Sequence, residues 1–300
     1  MNFEITQKSQ KFFLLIDDVK QLTKMRLALS VVFSSLAGYL LASDNIQIQN
    51  LFLLLAGGYL IVGASNVYNQ ILEKDLDFLM DRTKNRPLPG KRMSVKRAIY
   101  IAVIMTISGL ILLYGINLRT CIFGALAVFV YACLYTPLKT KTPLSVFVGA
   151  IPGAIPFMLG WVAFSNKFGI EPGVLFMIQF FWQFPHFWAI GWMLDDDYKK
   201  AGFKMLPTGK KDKATAFLIV MYTVWMIIIS LIPLGRFTGE LNLSLFGGIV
   251  VLSLGIIMLY FAIDLMNKLS TIAAKKLMYA SVVYITILQL VYVLDKYLII

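Results

Sequence analysis

Residues 51–71 are LFLLLAGGYLIVGASNVYNQI, an apolar run without a charged side chain. About 20 consecutive apolar residues are enough for a helix to cross the hydrocarbon core of a bilayer. Runs of similar length recur along the 300-residue chain, of which 59% is hydrophobic and 15% charged, with a mean hydropathy of +0.75. A soluble domain of this composition would expose large apolar patches and aggregate. The sequence therefore predicts an all-α integral membrane protein.

We predict about nine transmembrane helices, which form a single domain over residues 1–300. With the span limits given below, all but four of the 28 Lys and Arg residues fall on the same side of the membrane. The positive-inside rule then places the N-terminus in the cytoplasm and the C-terminus outside. The predicted spans are residues 27–43, 51–71, 98–115, 118–136, 143–164, 172–194, 215–235, 243–263 and 277–295.

The formal net charge of +12 follows from this topology, so the expected partner is the lipid bilayer and not a nucleic acid. Residues 1–26 contain acids and lack the long apolar core of a cleavable signal peptide. They predict a short interfacial helix on the cytoplasmic surface, and the short N-terminus favours a bacterial inner membrane. The apolar side chains on one face of this helix are Phe12, Leu15, Ile16, Val19 and Leu22.

Two long connections, residues 72–97 and 195–214, lie on the predicted cytoplasmic side. Together they hold half of the 16 Asp and Glu residues of the chain, on a face that is otherwise strongly basic. Loops of this length are uncommon in compact proteins and tend to be functional. We therefore predict that both are active-site loops.

The first acidic cluster begins at the end of the predicted span over residues 51–71. Asn69, Glu73 and Asp77 are spaced four residues apart and share one face if the helix of that span continues. Neighbouring carboxylates repel each other, and a hard divalent cation such as Mg²⁺ relieves that repulsion. The alternative is a solvated helix end whose acids pair with Lys74, Arg82 and Lys84.

Basic residues surround this cluster in the sequence. Arg82, Lys84 and Arg86 follow the acids directly, and Lys139 ends the fourth span on the same predicted side. Arg is suited to bidentate contact with phosphate, so these side chains are candidates for binding a phosphate beside a metal. Ordinary positive-inside charge and snorkelling explain the same residues without a ligand.

The second acidic cluster is Asp195, Asp196 and Asp197, which the predicted sixth span places at a helix C-terminus. Three carboxylates there oppose the helix dipole, which is easier to understand if a cation is bound. Asp197 and Tyr198 are the preferred functional pair, and Asp195 and Asp196 are expected to be solvated.

His186 is the one histidine of the chain and lies within the sixth span, beside Pro185. An ionisable residue inside a membrane is a functional candidate by default, although a satisfied structural histidine is an equally good interpretation. The aromatic residues around it are suited to lining a pocket for a flat apolar substrate, and an interfacial belt explains Trp192 equally well. These aromatic residues are Trp182, Phe184, Phe187, Trp188 and Trp192.

Four segments, in this order, resemble the protoheme IX farnesyltransferase family, a branch of the intramembrane aromatic prenyltransferase superfamily. Two departures stand out, because Glu73 occupies a position where that family usually has Asp, and Gln70 one where the superfamily often has Asp. The segments are residues 69–86, residues 135–139, residues 182–187 together with Asp197 and Tyr198, and residues 201–207.

The resemblance implies nine helices around a central cavity and Mg²⁺-dependent transfer of a farnesyl group from farnesyl diphosphate to a vinyl group of heme B, which gives heme O and diphosphate. It implies Asn69, Glu73, Asp77 and Asp197 as metal ligands, with Asp77, Asp197 and Tyr198 in catalysis. It implies Arg82, Lys84, Arg86 and Lys139 as diphosphate contacts and His186, Trp182 and Phe187 as heme contacts.

Other functions stay open at this point. A related prenyltransferase that acts on a quinone precursor or a chlorophyll-type ring shares the acidic motifs. A secondary transporter also has interrupted helices and intramembrane ionisable groups, although its charges lie near the midplane. Docking of a downstream heme A synthase is a further open expectation.

Overall fold

The computed structural model describes residues 13–298, and within this range the regular structure is entirely helical. The sixth helix continues through a π-helical turn, Val130–Tyr135, into the seventh. The elements are α1 (residues 13–22), α2 (Met25–Ala42), α3 (Ile48–Leu72), α4 (Lys74–Leu79), α5 (Val95–Tyr114), α6 (Leu118–Phe129), α7 (Thr136–Leu138), α8 (Ser145–Ser165), α9 (Ile170–Met193), α10 (Asp195–Lys200), α11 (Lys213–Ser230), α12 (Leu245–Lys268) and α13 (Thr271–Leu298).

Eight helical segments in the described part of the chain are long and apolar enough to cross a membrane. A further long helix, α9, has 24 residues but carries Gln179, Gln183 and His186, which lower its hydropathy. It packs against α8, α11 and α13, so its polar side chains lie among protein neighbours. The prediction of an all-α membrane protein with about nine long helices is therefore confirmed.

The long helices α3 and α9 end in the same way. Each is followed by one non-helical residue, Glu73 or Leu194, and then by a six-residue helix, α4 or α10. Both acidic clusters therefore lie where a long helix is interrupted. The two clusters also lie four predicted spans apart, so the two loops are similar in sequence position and in local structure.

Side chains of α3 hold the C-terminal end of α1 in place by donating hydrogen bonds to backbone carbonyl oxygens. The amide of Gln70 donates to the carbonyl oxygens of Gln21 (3.2 Å) and Leu22 (2.6 Å), and the amide of Asn66 donates to that of Thr23 (3.1 Å). Gln70 is thus a structural residue, which explains why an amide suits this position.

The predicted apolar face of α1 is divided in the structure. Leu22 is fully buried and Val19 packs against the same core, whereas Leu15 is exposed and Phe12 lies outside the described residues. The C-terminal half of α1 is therefore anchored to the helical core. Its position at a membrane surface stays a prediction.

Helices α2 and α8 approach each other at two glycines. A Cβ atom on Gly38 would overlap the carbonyl oxygen of Phe157, and one on Gly160 would overlap that of Ser35. Small residues of this kind allow membrane helices to pack backbone to backbone. Helices α2 and α8 are therefore in direct backbone contact at these two glycines.

We expect Gly160→Ala to destabilise the protein by about 1–3 kcal/mol, because the added methyl group has no space against the α2 backbone. Gly173→Ala in α9 is the matched control, since a Cβ atom there meets nothing within 4 Å. Thermal unfolding of the purified protein in detergent measures both effects. Equal transition temperatures for the two variants would contradict the close packing of α2 and α8.

Candidate active site

A cavity of about 680 Å³ lies between the long helices. One end of it, where α3 is interrupted, contains charged side chains, and most of the remaining wall is apolar or aromatic. Its apolar wall includes Val31, Ile61, Leu159 and Ile285. The charged side chains that line it are Lys24, Glu73, Asp77, Arg82, Arg86 and Lys139.

Asn69, Glu73 and Asp77 all line the charged end of the cavity. The interruption at Glu73 leaves the four-residue hydrogen-bond pattern intact, because the Glu73 amide donates to Asn69 O (2.9 Å) and the Asp77 amide donates to Glu73 O (2.7 Å). The three side chains are at most 4% exposed. They therefore share one face, as the spacing predicts.

The two carboxylates pair with cations from other segments. Lys139 Nζ lies 2.8 Å from Glu73 Oε1, and Arg86 Nη1 lies 2.7 Å from Asp77 Oδ2. The alternative of a solvated helix end is wrong for these two residues, because both are buried. Lys74, one of its suggested partners, pairs instead with the exposed Asp75.

The oxygen donors of this cluster suit Mg²⁺. Glu73 Oε1 forms no directional hydrogen bond within residues 13–298, although Lys139 lies close, so it retains lone pairs for a ligand. Over the same residues, no group of three or more His, Cys, Asp or Glu side chains is arranged to hold a metal ion. Mg²⁺ commonly uses one or two protein carboxylates and takes its other ligands from phosphate and water, so Glu73 and Asp77 fit it.

Lys24 is a cavity-lining residue that the sequence analysis did not select. It has a left-handed backbone (φ 49°) just before α2, and its Nζ lies 3.4 Å from Asn69 Oδ1. Burial, reinforced by the charges of Arg86 and Lys139, lowers the pKa of Lys24 to about 7. Nothing in the sequence indicates this positive φ angle. A single basic residue before a span is also expected from the positive-inside rule alone, so the sequence does not mark Lys24 as a cavity residue.

Lys139 is held more firmly in its charged form. Burial lowers its pKa, but the charge and hydrogen bond of Glu73, together with the neighbouring Tyr131 and Tyr198, outweigh burial, so the net shift of the pKa is upward. Its Nζ also lies 4.7 Å from the centroid of the Tyr135 ring, a cation–π contact. Lys139 therefore presents a stable positive charge at the cavity wall.

The structure separates the other predicted phosphate contacts. Arg82 and Arg86 line the cavity, whereas Lys84 is half-exposed and pairs with Asp81 at 2.7 Å. Hydrogen bonds from Lys200 and Lys84 lower the pKa of Asp81 to about 2. Lys84 thus belongs to the group of ion pairs that Asp81 forms with Lys84 and Lys200.

The second acidic cluster begins a helix. Asp195, Asp196 and Asp197 form the first turn of α10, where the helix dipole favours negative charge. The expectation that they oppose a dipole at a helix C-terminus is therefore wrong. The expectation that Asp195 is solvated is also wrong, because Asp195 is buried and pairs with Lys199 at 2.7 Å, whereas Asp196 is exposed, as expected.

Asp197 joins the two acidic loops. Its carboxylate accepts hydrogen bonds from the backbone amides of Asp81 (2.9 Å) and Arg82 (3.4 Å), and burial, which raises its pKa, is outweighed by these bonds and by Lys200, so its pKa is lowered. Within residues 13–298 Asp197 is not among the cavity-lining side chains, whereas the adjacent Tyr198 is. The two loops therefore meet through a carboxylate–amide contact.

The predicted heme contacts His186, Trp182 and Phe187 all line the cavity. The Trp182 and His186 rings stack at 4.7 Å with an interplanar angle of 17°. Trp192 is fully buried in the helical core, so neither the pocket nor the interfacial belt describes it. Sequence reasoning also missed Ser281 of α13, which contacts both stacked rings.

Comparison with known proteins identifies the fold and the family. Residues 31–285 match the UbiA prenyltransferase family. The chain belongs to the UbiA prenyltransferase family. This membership confirms that it is a prenyltransferase and a multi-pass membrane protein, and the secondary-transporter alternative is wrong.

Similar UbiA proteins are known from sequence and structure. The protoheme IX farnesyltransferase of Christiangramia forsetii is 64% identical over 284 residues, which cover 95% of each chain. A digeranylgeranylglyceryl phosphate synthase structure has a TM-score of 0.77 at 19% identity and covers 93% of this chain and 98% of its own. The structure of a UbiA homologue from Archaeoglobus fulgidus bound to GPP and Mg²⁺ has a TM-score of 0.67 at 14% identity, with coverage of 92% and 99%.

We expect Asp197→Ala to release the loop that follows α4, because the backbone amides of Asp81 and Arg82 lose their acceptor. Hydrogen bonds to a charged group contribute about 1.5–3 kcal/mol, so trypsin should cleave within residues 82–92 about tenfold faster or more. Limited proteolysis followed by mass spectrometry measures this. Asp196→Ala is the control, since its side chain is 89% exposed. Equal cleavage of the two variants would show that Asp197 does not hold the loop.

Proposed function

We propose that this UbiA protein transfers the farnesyl group of farnesyl diphosphate to a vinyl group of heme B in a Mg²⁺-dependent reaction, which gives heme O and diphosphate. One observation carries the proposal: a single cavity has a charged end, built from two carboxylates and four cations, and an apolar wall with His186. The name of the Christiangramia forsetii relative supports farnesyl and heme as substrates. The GPP and Mg²⁺ of the Archaeoglobus fulgidus structure support the metal and the diphosphate.

The diphosphate binds, in this proposal, at the charged end of the cavity. Lys24, Arg82, Arg86 and Lys139 line it and can donate to phosphate oxygens, the arginines in bidentate fashion. Asn69, Glu73 and Asp77 are the metal ligands, and Asp197 is a predicted ligand that in this structure orients the Asp81–Arg82 backbone. Lys84 stays a predicted phosphate contact, but its ion pair with Asp81 would have to break before it could bind the phosphate.

Loss of diphosphate from the allylic carbon requires that the charge developing on the leaving group be neutralised. Bound Mg²⁺ supplies Lewis acidity at the leaving oxygens. Lys139 and Arg86 add fixed positive charge, which lowers the barrier because it is already in place before ionisation. In this proposal Tyr198 directs the diphosphate, and its position in the cavity wall supports that role.

The apolar wall protects the farnesyl cation from water until it meets the acceptor. The electron-rich vinyl group of heme B attacks C1 of the farnesyl cation, and water then adds to the resulting porphyrin-side cation with release of a proton. His186, Trp182 and Phe187 contact the porphyrin in this proposal. Their position on the cavity wall supports it.

We further propose that the protein lies in the cytoplasmic membrane, with the N-terminus and residues 72–97 and 195–214 in the cytoplasm and the C-terminus outside. The distribution of Lys and Arg supports this orientation. Heme A synthase stays a predicted partner.

The decisive experiment gives purified protein, with Mg²⁺ and labelled farnesyl diphosphate, either heme B or 4-hydroxybenzoate. We expect label in a farnesylated heme and none in the phenol, because His186 and the aromatic wall fit a porphyrin. Chromatography with mass spectrometry identifies the products. Farnesylation of the phenol alone would favour a quinone-ring enzyme, and the heme proposal would fail.

Asp77→Asn should lower heme O formation at least about 100-fold in washed membranes with added Mg²⁺, because it removes a charged ligand and the partner of Arg86. Asp75→Asn should have normal activity, since the Asp75 side chain is 91% exposed and pairs with Lys74. Immunoblotting of the membranes confirms insertion of both variants. Undiminished activity of inserted Asp77→Asn would remove this residue from the proposed mechanism.

A further inference from the structure

His186 of α9 and Ser281 of α13 meet on the wall of the cavity, 95 residues apart in the chain. His186 Nδ1 lies 2.7 Å from Ser281 Oγ, and Ser281 is fully buried. His186 itself lines the cavity. This contact lies outside both acidic motifs, and none of the predicted roles includes Ser281.

The hydrogen bonds of Ser281 decide which nitrogen of His186 carries a proton. Ser281 Oγ lies 2.6 Å from the carbonyl oxygen of Met278, which can only accept. A hydroxyl group has one proton, so the Ser281 proton points to Met278 O and the Ser281 oxygen is left as an acceptor. His186 Nδ1 must therefore be the donor, which defines the Nδ1–H tautomer of the neutral imidazole.

The other ring nitrogen then carries a free lone pair. Within residues 13–298 the one hydrogen bond of the His186 side chain is the bond to Ser281, so Nε2 has no protein donor. An imidazole with this arrangement is suited to bind a metal through Nε2, because the bond at Nδ1 fixes the ring and raises its basicity.

Ser281 also fixes the second aromatic ring. Trp182 Nε1 donates to the backbone carbonyl oxygen of Ser281 at 2.6 Å, and its ring stacks on His186 at 4.7 Å. The imidazole is thus held at one edge by the Ser281 hydroxyl and on one face by Trp182. Its Nε2 direction is set before any ligand enters.

We propose that Ser281 is a positioning residue that holds His186 in the Nδ1–H tautomer and so presents the Nε2 lone pair to the cavity as an axial ligand for the iron of heme. The inference rests on the proposed function, because it takes heme B as the acceptor. An axial bond sets the porphyrin plane perpendicular to the iron–nitrogen bond, which helps to place a vinyl group toward the charged end. A porphyrin without iron would lose this contact.

The test titrates heme B into the purified full-length protein in detergent and follows the Soret band and the electron paramagnetic resonance of the ferric form. Wild-type protein should show an imidazole-ligated heme. Ser281→Ala should weaken heme affinity about 10- to 100-fold, the usual effect of removing an outer hydrogen-bond partner of a metal ligand. Ser281→Thr keeps the hydroxyl group and should restore the wild-type spectrum.

Two controls separate positioning from packing. Ser230→Ala removes an equally buried serine that donates to Met226 O and accepts from Tyr284, away from the cavity, and should bind heme like wild type. Iron-free protoporphyrin IX should bind Ser281→Ala and wild type equally. His186→Gly should lose the imidazole signature and regain it with added imidazole.

Several outcomes would overturn the proposal: wild-type protein that binds no heme or binds it without an imidazole ligand, an unchanged spectrum and affinity in Ser281→Ala, or an equal loss in Ser281→Thr. Weaker binding of iron-free porphyrin by Ser281→Ala would assign the effect to packing and would overturn it too. Farnesyl transfer to heme B by wild type is measured separately. Product without imidazole ligation refutes the inference and leaves the proposed function intact, whereas absence of product refutes the function.

Discussion

A charge buried within a membrane protein has to be neutralised by other parts of the same protein, and this constraint organises the charged end of the cavity. Glu73 and Asp77 are at most 4% exposed. Their partners come from separate segments, Lys139 from the end of α7 and Arg86 from the loop after α4. Two side chains one turn apart therefore bring α3, α7 and the first long loop together.

The same requirement explains why the two acidic loops meet. Backbone amides in the residues that follow a helix need hydrogen-bond acceptors. The Asp197 carboxylate is the acceptor for the amides of Asp81 and Arg82. Lys200 then pairs with Asp81 at 2.5 Å and with Asp197 at 3.4 Å. The segments that follow α3 and α9 are thus joined through Asp197 and Lys200.

Structural features that depend on a local sequence pattern were predicted, whereas contacts between residues far apart in the sequence were missed. Span lengths and charge distribution were sufficient for the helices, and the four-residue spacing placed Asn69, Glu73 and Asp77 on one face. The helical start at Asp195 was missed, because the fall in hydropathy after Leu194 marks the end of a span but does not show that a second helix begins there.

Contacts between remote segments left no signal in either partner. Ser281 lies in one of the last three spans, where hydropathy alone was informative, and its role appears only once α13 packs on α9. Lys24 is a similar case. It lines the cavity and has a left-handed backbone, and neither property can be seen in the sequence. Buried ion pairs contribute little to stability compared with well-packed apolar residues, and breaking one is costly. Among the described residues that line the charged end, Arg82, Arg86 and Lys139, together with Lys24 when it is protonated, outnumber Glu73 and Asp77. Stability does not require this excess of positive charge, and the proposed diphosphate would balance it.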